Sequence, residues 1–270
     1  MSKLKYLYRW DLLFEKLRIL YVGLIKYYQD KTYWKGLENK YAGRRGFVIG
    51  NGPSLRLEDL TKLHESNEFS VASNKIFLAF EETSWRPDIF TIADGLVWDK
   101  IGHKVHQDIS VVHTRYSLDY KKSNRPVRVW KRLKDIYEKT SKVRFSENIS
   151  QGMYPGGTVT FENLQLAIYL GINPIYVIGC DHYYGGEDDE GGITIIHKKG
   201  VENHFIKGYR KPGEKAGKAN IGLMNAAYLS AKTYADANNI KIFNATRGGH
   251  LDIFERANFD DLFRGVHKTV

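Results

Sequence analysis

An α/β fold, with a single mostly parallel sheet and helices on both faces, is what this chain of 270 residues predicts. Two observations carry it. From residue 45 onward, short apolar runs of strand length alternate with helical stretches, the pattern that yields crossover connections and a parallel sheet. Each run is followed by Gly, Asn or Asp, which turn the chain and leave polar groups at the strand ends, where such sheets bind ligands. An apolar content of 42% is ample for a buried core, and 27% charged residues exclude a membrane channel or a fibre.

Residues 1–44 are read as a separate, basic amphipathic helical segment. Residues 1–45 hold eleven Lys/Arg against four acidic residues, a net +7 of the total +10, so the other 225 residues are nearly neutral. Leu4, Trp10, Leu13, Phe14, Leu17, Leu20, Tyr21 and Leu24 lie between these charges, a composition suited to an anionic membrane surface bound through residues 1–35. Packing on the body, or on a second copy in a homo-oligomer, is the alternative. No apolar run reaches the roughly 18 residues that span a bilayer, and Asp11 and Glu15 interrupt any signal core. The chain is therefore expected in the cytoplasm, peripheral on the inner face of the membrane. Its single cysteine, Cys180, can form no internal disulfide, in keeping with that compartment. Basicity confined to one segment, without a recognisable module, argues against nucleic acid as a partner.

The body, residues 45–270, is read in order. GFVIG (Gly46 to Gly50) is a strand, NGPSL a turn and RLEDLTKLH a helix. Strands follow at Phe69 to Asn74, Asp88 to Asp94, Ile109 to Thr114, Pro174 to Asp181 and Lys241 to Thr246, with helices at Val159 to Leu170 and Leu223 to Asn238. The stretch from Tyr184 to Gly217, rich in Gly, Lys and acids, reads as a long loop or lid.

Three constellations carry chemistry. In Gly50, Asn51, Gly52, Pro53 and Ser54, the glycines let backbone approach a phosphate, and amides at the start of the following helix favour an anion. The third glycine of a dinucleotide fingerprint and the Walker lysine are both missing, which argues against NAD and P-loop ATP. Gly156, Gly157 and Thr158 precede a helix, with Thr158 as its N-cap. Gly179 to Tyr184 ends a strand with Asp181, His182, Tyr183 and Tyr184, whose expected roles are hydrogen bonding; Cys180 is expected to be a small buried residue. Two histidines stand out: His250 in GGHL, and His204 in the long loop ahead of Lys207, Tyr209 and Arg210, a general base beside phosphate-binding cations.

The ordered set GNGPSL, SNKIF, IADG, GGT and IYVIGCDHYYGG resembles bacterial CMP-dependent sialyltransferases. It is still more similar to the polysaccharide-biosynthesis proteins that share a domain with the archaeal hydroxymethylpterin pyrophosphokinase (MptE-like) and with flagellin nonulosonate transferases. The likeness covers about residues 45 to 255. It implies a Rossmann-like, modified GT-A-type domain and, from the sialyltransferases, an inverting reaction needing no metal or cofactor beyond the CMP-sugar donor substrate. By the same resemblance Asn51 and Asn74 contact the nucleotide, Asp94 and the Gly156–Thr158 turn belong to the donor site, Tyr183 assists the leaving phosphate, and His204 is the counterpart of the base. Asp181, Lys207 and Arg210 complete the expected donor-binding set.

The expected function is transfer of a sialic acid-like sugar from a CMP-activated donor to a glycan or glycolipid acceptor in surface-glycan biosynthesis. A Mg-dependent pyrophosphokinase acting on a pterin-like alcohol, with Asp94 and Asp181 holding the metal, is one alternative. A non-catalytic nucleotide-binding assembly factor is the other.

Overall fold

The computed structural model describes residues 2–184, 194–196, 203–211 and 213–264. A long first helix, α1 (Ser2–Lys35), leads into β1 (Gly46–Ile49), α2 (Leu57–Glu65), β2 (Phe69–Ser73), β3 (Ile89–Ile92), α3 (Gly95–Ile101), β4 (Val112–Arg115) and β5 (Val127–Trp130). The short α4 (Tyr137–Thr140), then α5 (Val159–Tyr169), β6 (Ile175–Ile178), β7 (Thr194–Ile196), β8 (Lys215–Gly217), α6 (Ile221–Ala237), β9 (Ile242–Asn244) and β10 (Glu255–Arg256) complete the chain. Eight strands form one sheet in the order β10-β9-β6-β1-β2-β3-β4-β5, every neighbouring pair parallel.

The central strands are buried on both faces, so they read as unbroken apolar runs and their side chains alternate between two cores. Val48, Val71 and Val177 face a core built with Leu164 and Ala167 of α5 and Ala227 and Ala231 of α6. Phe47, Ile49, Ala72 and Ile178 face the other, with Leu60 and Leu63 of α2 and Trp98 and Ile101 of α3. Helices thus cover both faces, as expected.

Several elements depart from the sequence reading, the short α4 and β10 among them. β5 and α3 are additions to it, and β4 begins at Val112 because Ile109 is held in a turn by its amide bond to the His106 carbonyl. Within the expected loop or lid, β7 and β8 pair antiparallel, from Thr194 opposite Gly217 to Ile196 opposite Lys215. The rest of that segment, at 185–193, 197–202 and 212, lies outside the described residues.

The first helix is not a segment apart. Asp30 is fully buried and accepts bonds from Lys26 (2.5 Å), Arg128 (2.8 Å) and the Val129 amide (2.9 Å) of β5. The Trp34 indole donates to the Val129 carbonyl at 2.7 Å, and the Tyr27 hydroxyl to the Ser150 carbonyl at 2.7 Å. The second half of α1 therefore covers the edge strand β5 and closes an otherwise open sheet edge. Trp10, Phe14, Leu17, Tyr21, Leu24 and Tyr28 are exposed, and their alternating spacing of four and three residues sets them in one stripe on the opposite side. Apolar residues on two sides replace the single apolar face of the expected amphipathic helix. Among the described residues no helix is long and apolar enough to cross a membrane.

Candidate functional site

The strand order reverses at β1: the chain runs outward from β1 to β5, then returns to place β6 on β1's other side. Loops leaving β1 and β6 in opposite directions open a crevice at the carboxyl ends of the strands, the usual ligand position in such sheets. A cavity of about 140 Å³ lies there. Of the residues expected from sequence it gathers Gly50, Asn51, Gly52, Pro53, Asn74, Thr158, Asp181, Tyr183 and His204, and it adds His182, Tyr184, Asn203 and Tyr228.

The turn after β1 is built differently from the expected phosphate cradle. The Gly50 amide donates to the Ile178 carbonyl and the Gly52 amide to the Gly179 carbonyl, each at 2.8 Å. The Ser54 amide (3.2 Å) and hydroxyl (2.8 Å) donate to the Asp181 carboxylate. These amides are spent on β6, so they are not available to an anion. The glycines serve close packing: a Cβ at Gly50 would meet the Gly179 carbonyl oxygen at 2.3 Å, and one at Gly52 would meet the Asp181 carboxylate at 1.9 Å. Asp181 and Ser54 therefore fix the loop. Burial raises the Asp181 carboxyl above the usual range, against the lowering effect of the Ser54 bonds.

What the loop presents is the Asn51 side chain. Its Nδ2 donates to the Ser73 carbonyl at 3.2 Å, leaving Oδ1 buried without a partner. Next to Ser73, the Asn74 Oδ1 is likewise buried and unpartnered, on a residue with a left-handed φ of 60°. Two orphaned acceptors in one cavity call for a ligand with hydrogen-bond donors, since a buried acceptor without a partner costs free energy. The same cavity is lined by the start of α5, through Thr158, Val159 and Thr160, where Thr158 caps the helix by accepting from the Thr160 amide. The positive end of this helix faces the ligand space.

His182 is the residue sequence reasoning undervalued. Its Nε2 lies 2.8 Å from Asn225 Oδ1 of α6. An amide oxygen only accepts, so Nε2 donates this bond, and Nδ1 is buried without a partner. His204 also lines the cavity, its ring stacked on the buried Tyr209 at 3.9 Å between centroids and 9° between planes. Tyr183 and Tyr184 lie at the mouth, both exposed. The segment carrying His204 is tied down: the Phe205 amide donates to the Asn51 carbonyl, Lys75 reaches the Tyr209 carbonyl at 2.6 Å, and Lys75 (2.9 Å) and Lys100 (3.1 Å) share Glu214. Those two ammonium groups hold the Glu214 carboxyl down at about 2, although burial opposes them.

Other expected site residues stand elsewhere. Asp94 caps α3 by accepting from the Leu96 (2.7 Å) and Val97 (3.1 Å) amides. Gly156 and Gly157 leave space for α6, not for a ligand: a Cβ at Gly156 would meet Ala227 at 2.4 Å, and one at Gly157 would meet Leu223 at 3.0 Å. Lys207 and Arg210 lie outside the cavity lining, as does the exposed His250, whose amide donates to the Asp181 carbonyl. Cys180 lines the cavity but is buried, and burial pushes its thiol up to about 12, which leaves it a poor nucleophile.

A doubly wound sheet with a polar cavity at its switch point defines a class of α/β ligand-binding proteins. Within it, the chain belongs to the 6-hydroxymethylpterin diphosphokinase MptE-like family, which it matches over residues 22–187. That match begins where α1 first meets the body, at the buried Gly23. Among solved structures the chain is similar to the MAf glycosyltransferase from Magnetospirillum magneticum AMB-1, at 16% identity and a TM-score of 0.48, over 83% of this chain and 35% of that one. It thus spans about a third of the length of that structure. No curated protein matches it.

Proposed function

We propose that the protein is an inverting glycosyltransferase that takes a sialic acid-like sugar from a CMP-activated donor to a glycan or glycolipid acceptor. The observation that carries this reading is the pair of buried, unpartnered amide oxygens of Asn51 and Asn74, which suit the hydroxyl and amino donors of a nucleoside. The start of α5 would receive the phosphate. In the proposed step the acceptor hydroxyl oxygen bonds to the anomeric carbon as the bond from that carbon to the phosphate oxygen breaks, and CMP leaves. The hydroxyl proton passes to an imidazole. His182, with Nδ1 unpartnered and the ring oriented by Asn225, meets the requirements of a base more fully than His204. Tyr183, which lines the cavity at its mouth, is read as the group that supports the departing phosphate. The exposed stripe of α1 is read as the surface that meets an anionic membrane on its cytoplasmic side.

The family's name supports a second reading, diphosphate transfer from ATP with Mg²⁺ held by Asp94 and Asp181. Both carboxylates already accept from backbone amides, which favours sugar transfer. A thermal-shift screen of CMP, CDP, UDP, GDP and ATP, with and without Mg²⁺, decides between them. CMP without metal should stabilise the protein, by about 2.7 kcal/mol at a hundred times its Kd. Asn51→Ala and Asn74→Gly, the second of which keeps the left-handed backbone, should remove the shift. Stabilisation by ATP with Mg²⁺ alone would replace sugar transfer by the kinase reading, and CMP binding without turnover on any acceptor would favour an assembly factor.

A further inference from the structure

Outside the first helix, the large apolar side chains that stand exposed among the described residues are Tyr183 (60%), Leu229 (57%), Tyr184 (42%) and Ile221 (40%). Exposed apolar residues scattered singly over a surface are ordinary, but these gather at one place. Tyr183 and Tyr184 line the mouth of the cavity and directly follow His182, whose Nε2 lies 2.8 Å from Asn225 Oδ1 of α6. Ile221 and Leu229 stand one turn before and one turn after Asn225, so the three share one face of α6 over about 12 Å. His250 adds a ring 5.6 Å from that of Tyr183. Its loop is fixed, because the His250 amide donates to the Asp181 carbonyl at 2.8 Å and Arg256 donates to the Gly249 carbonyl at 3.0 Å. Residues 221–229 include no charged side chain.

The rim of the cavity is thus apolar and its interior polar, with the oxygens of Asn51 and Asn74 and the Nδ1 of His182 all buried without partners. Covering the rim removes apolar surface from water, whereas the interior calls for hydrogen bonds. A protein surface would cover the rim and leave the cavity unfilled. A free glycan would enter the cavity and leave Ile221 and Leu229, whose side chains form no hydrogen bonds, in water. A small amphiphile with a polar end and a hydrocarbon end does both. We propose that this rim binds the hydrocarbon portion of an acceptor glycolipid, beside the sugar hydroxyl that meets His182 in the cavity. The word acceptor rests on the sugar-transfer reading; the apolar rim does not.

Nuclear magnetic resonance of the full chain with isotope-labelled histidine tests this, the ring signals of His182 and His250 being assigned from His182→Ala and His250→Ala. The probes are n-octyl and methyl β-D-glucopyranoside, the first kept below the concentration at which it forms micelles. The octyl glycoside should shift both rings, with half-saturation at a concentration at least tenfold lower than the methyl glycoside requires. Ile221→Gln combined with Leu229→Gln should raise the octyl value at least tenfold and leave the thermal shift given by CMP unchanged. Both positions are exposed and glutamine suits a helix, so the double variant keeps the fold. Equal values for the two probes, no response to either, or an octyl preference that survives in the double variant overturns the proposal, the last because the hydrocarbon would then lie elsewhere, as on the stripe of α1. Failure of CMP to bind, with the octyl response present and lost in the double variant, would overturn the nucleotide-sugar reading alone.

Discussion

His182 has a left-handed φ of 54°, uncommon for a residue with a side chain, and it follows Gly179 at a φ of 64°. These two turns explain why its place in the cavity was hidden. Read as a continuing strand to Asp181, the sequence puts Asp181 and His182 on opposite sides, but β6 ends at Ile178 and alternation ends with it. Asp181 then bonds the loop after β1 while His182 faces the cavity between Asn225 and Tyr228. His182→Ala should leave CMP affinity nearly unchanged and lower turnover by about 10²- to 10⁴-fold, the range for a positioned proton acceptor. Asn225→Ala should lower turnover less and alter its pH profile, because the amide sets which ring nitrogen carries the proton. Full activity in His182→Ala with a large loss in His204→Ala would return the role to the histidine that the sequence alone selects. Asn51 and Asn74 were legible as cavity-lining residues because both lie at the carboxyl ends of strands, β1 and β2. The unpartnered state of their oxygens was not, since it depends on what packs around them.

At the scale of elements, the glycine-rich turns were found in the right places for reasons that packing revises. GNGPS serves the contact of β1 with β6, and the Gly156–Gly157 pair the contact of α5 with α6; sequence cannot separate a glycine that admits a ligand from one that admits a neighbouring helix. β5 escaped notice because it is an edge strand: Val-Arg-Val-Trp is a four-residue run with an arginine inside it, unlike the unbroken apolar runs of the central strands. The first helix divides by burial. Residues 10–18 are exposed, whereas Tyr27, Asp30, Trp34 and Leu37 are buried. Removing residues 1–17 should leave the melting temperature nearly unchanged and abolish salt-sensitive binding to anionic vesicles in a flotation assay. Trp34→Ala should cost about 3–5 kcal/mol of unfolding free energy, as for other large buried aromatics. If truncation halves the solution mass and vesicles are ignored throughout, the stripe joins two copies of the chain.

Across the whole molecule, two of the described buried groups, His113 and Glu162, titrate between pH 4 and 7 with opposite slopes. His113 on β4 is bonded to the Tyr33 hydroxyl (2.7 Å) and the Phe90 carbonyl (3.0 Å), and burial lowers it from 6.5 to about 4. The unfolded chain takes up this proton first, so stability from His113 is complete above pH 6.5 and is lost as the pH falls towards 4. Glu162 on α5 behaves oppositely: burial raises it from 4.5 to about 7, the unfolded chain releases its proton first, and stability is lost as the pH rises from 4.5 to 7. Each change, from 6.5 to about 4 and from 4.5 to about 7, corresponds to about 3 kcal/mol, so between pH 4.5 and 6.5 the two pH slopes nearly cancel while the summed cost stays nearly constant. Glu162→Gln removes one of them. In urea unfolding the variant should match the parent at pH 4 and gain on it steadily, to about 3 kcal/mol at pH 7.5, with a slope in pH that reports His113 alone. A difference that is constant with pH would mean that the Glu162 carboxyl is ionised in the folded protein, its charge matched by Arg115 and Arg132.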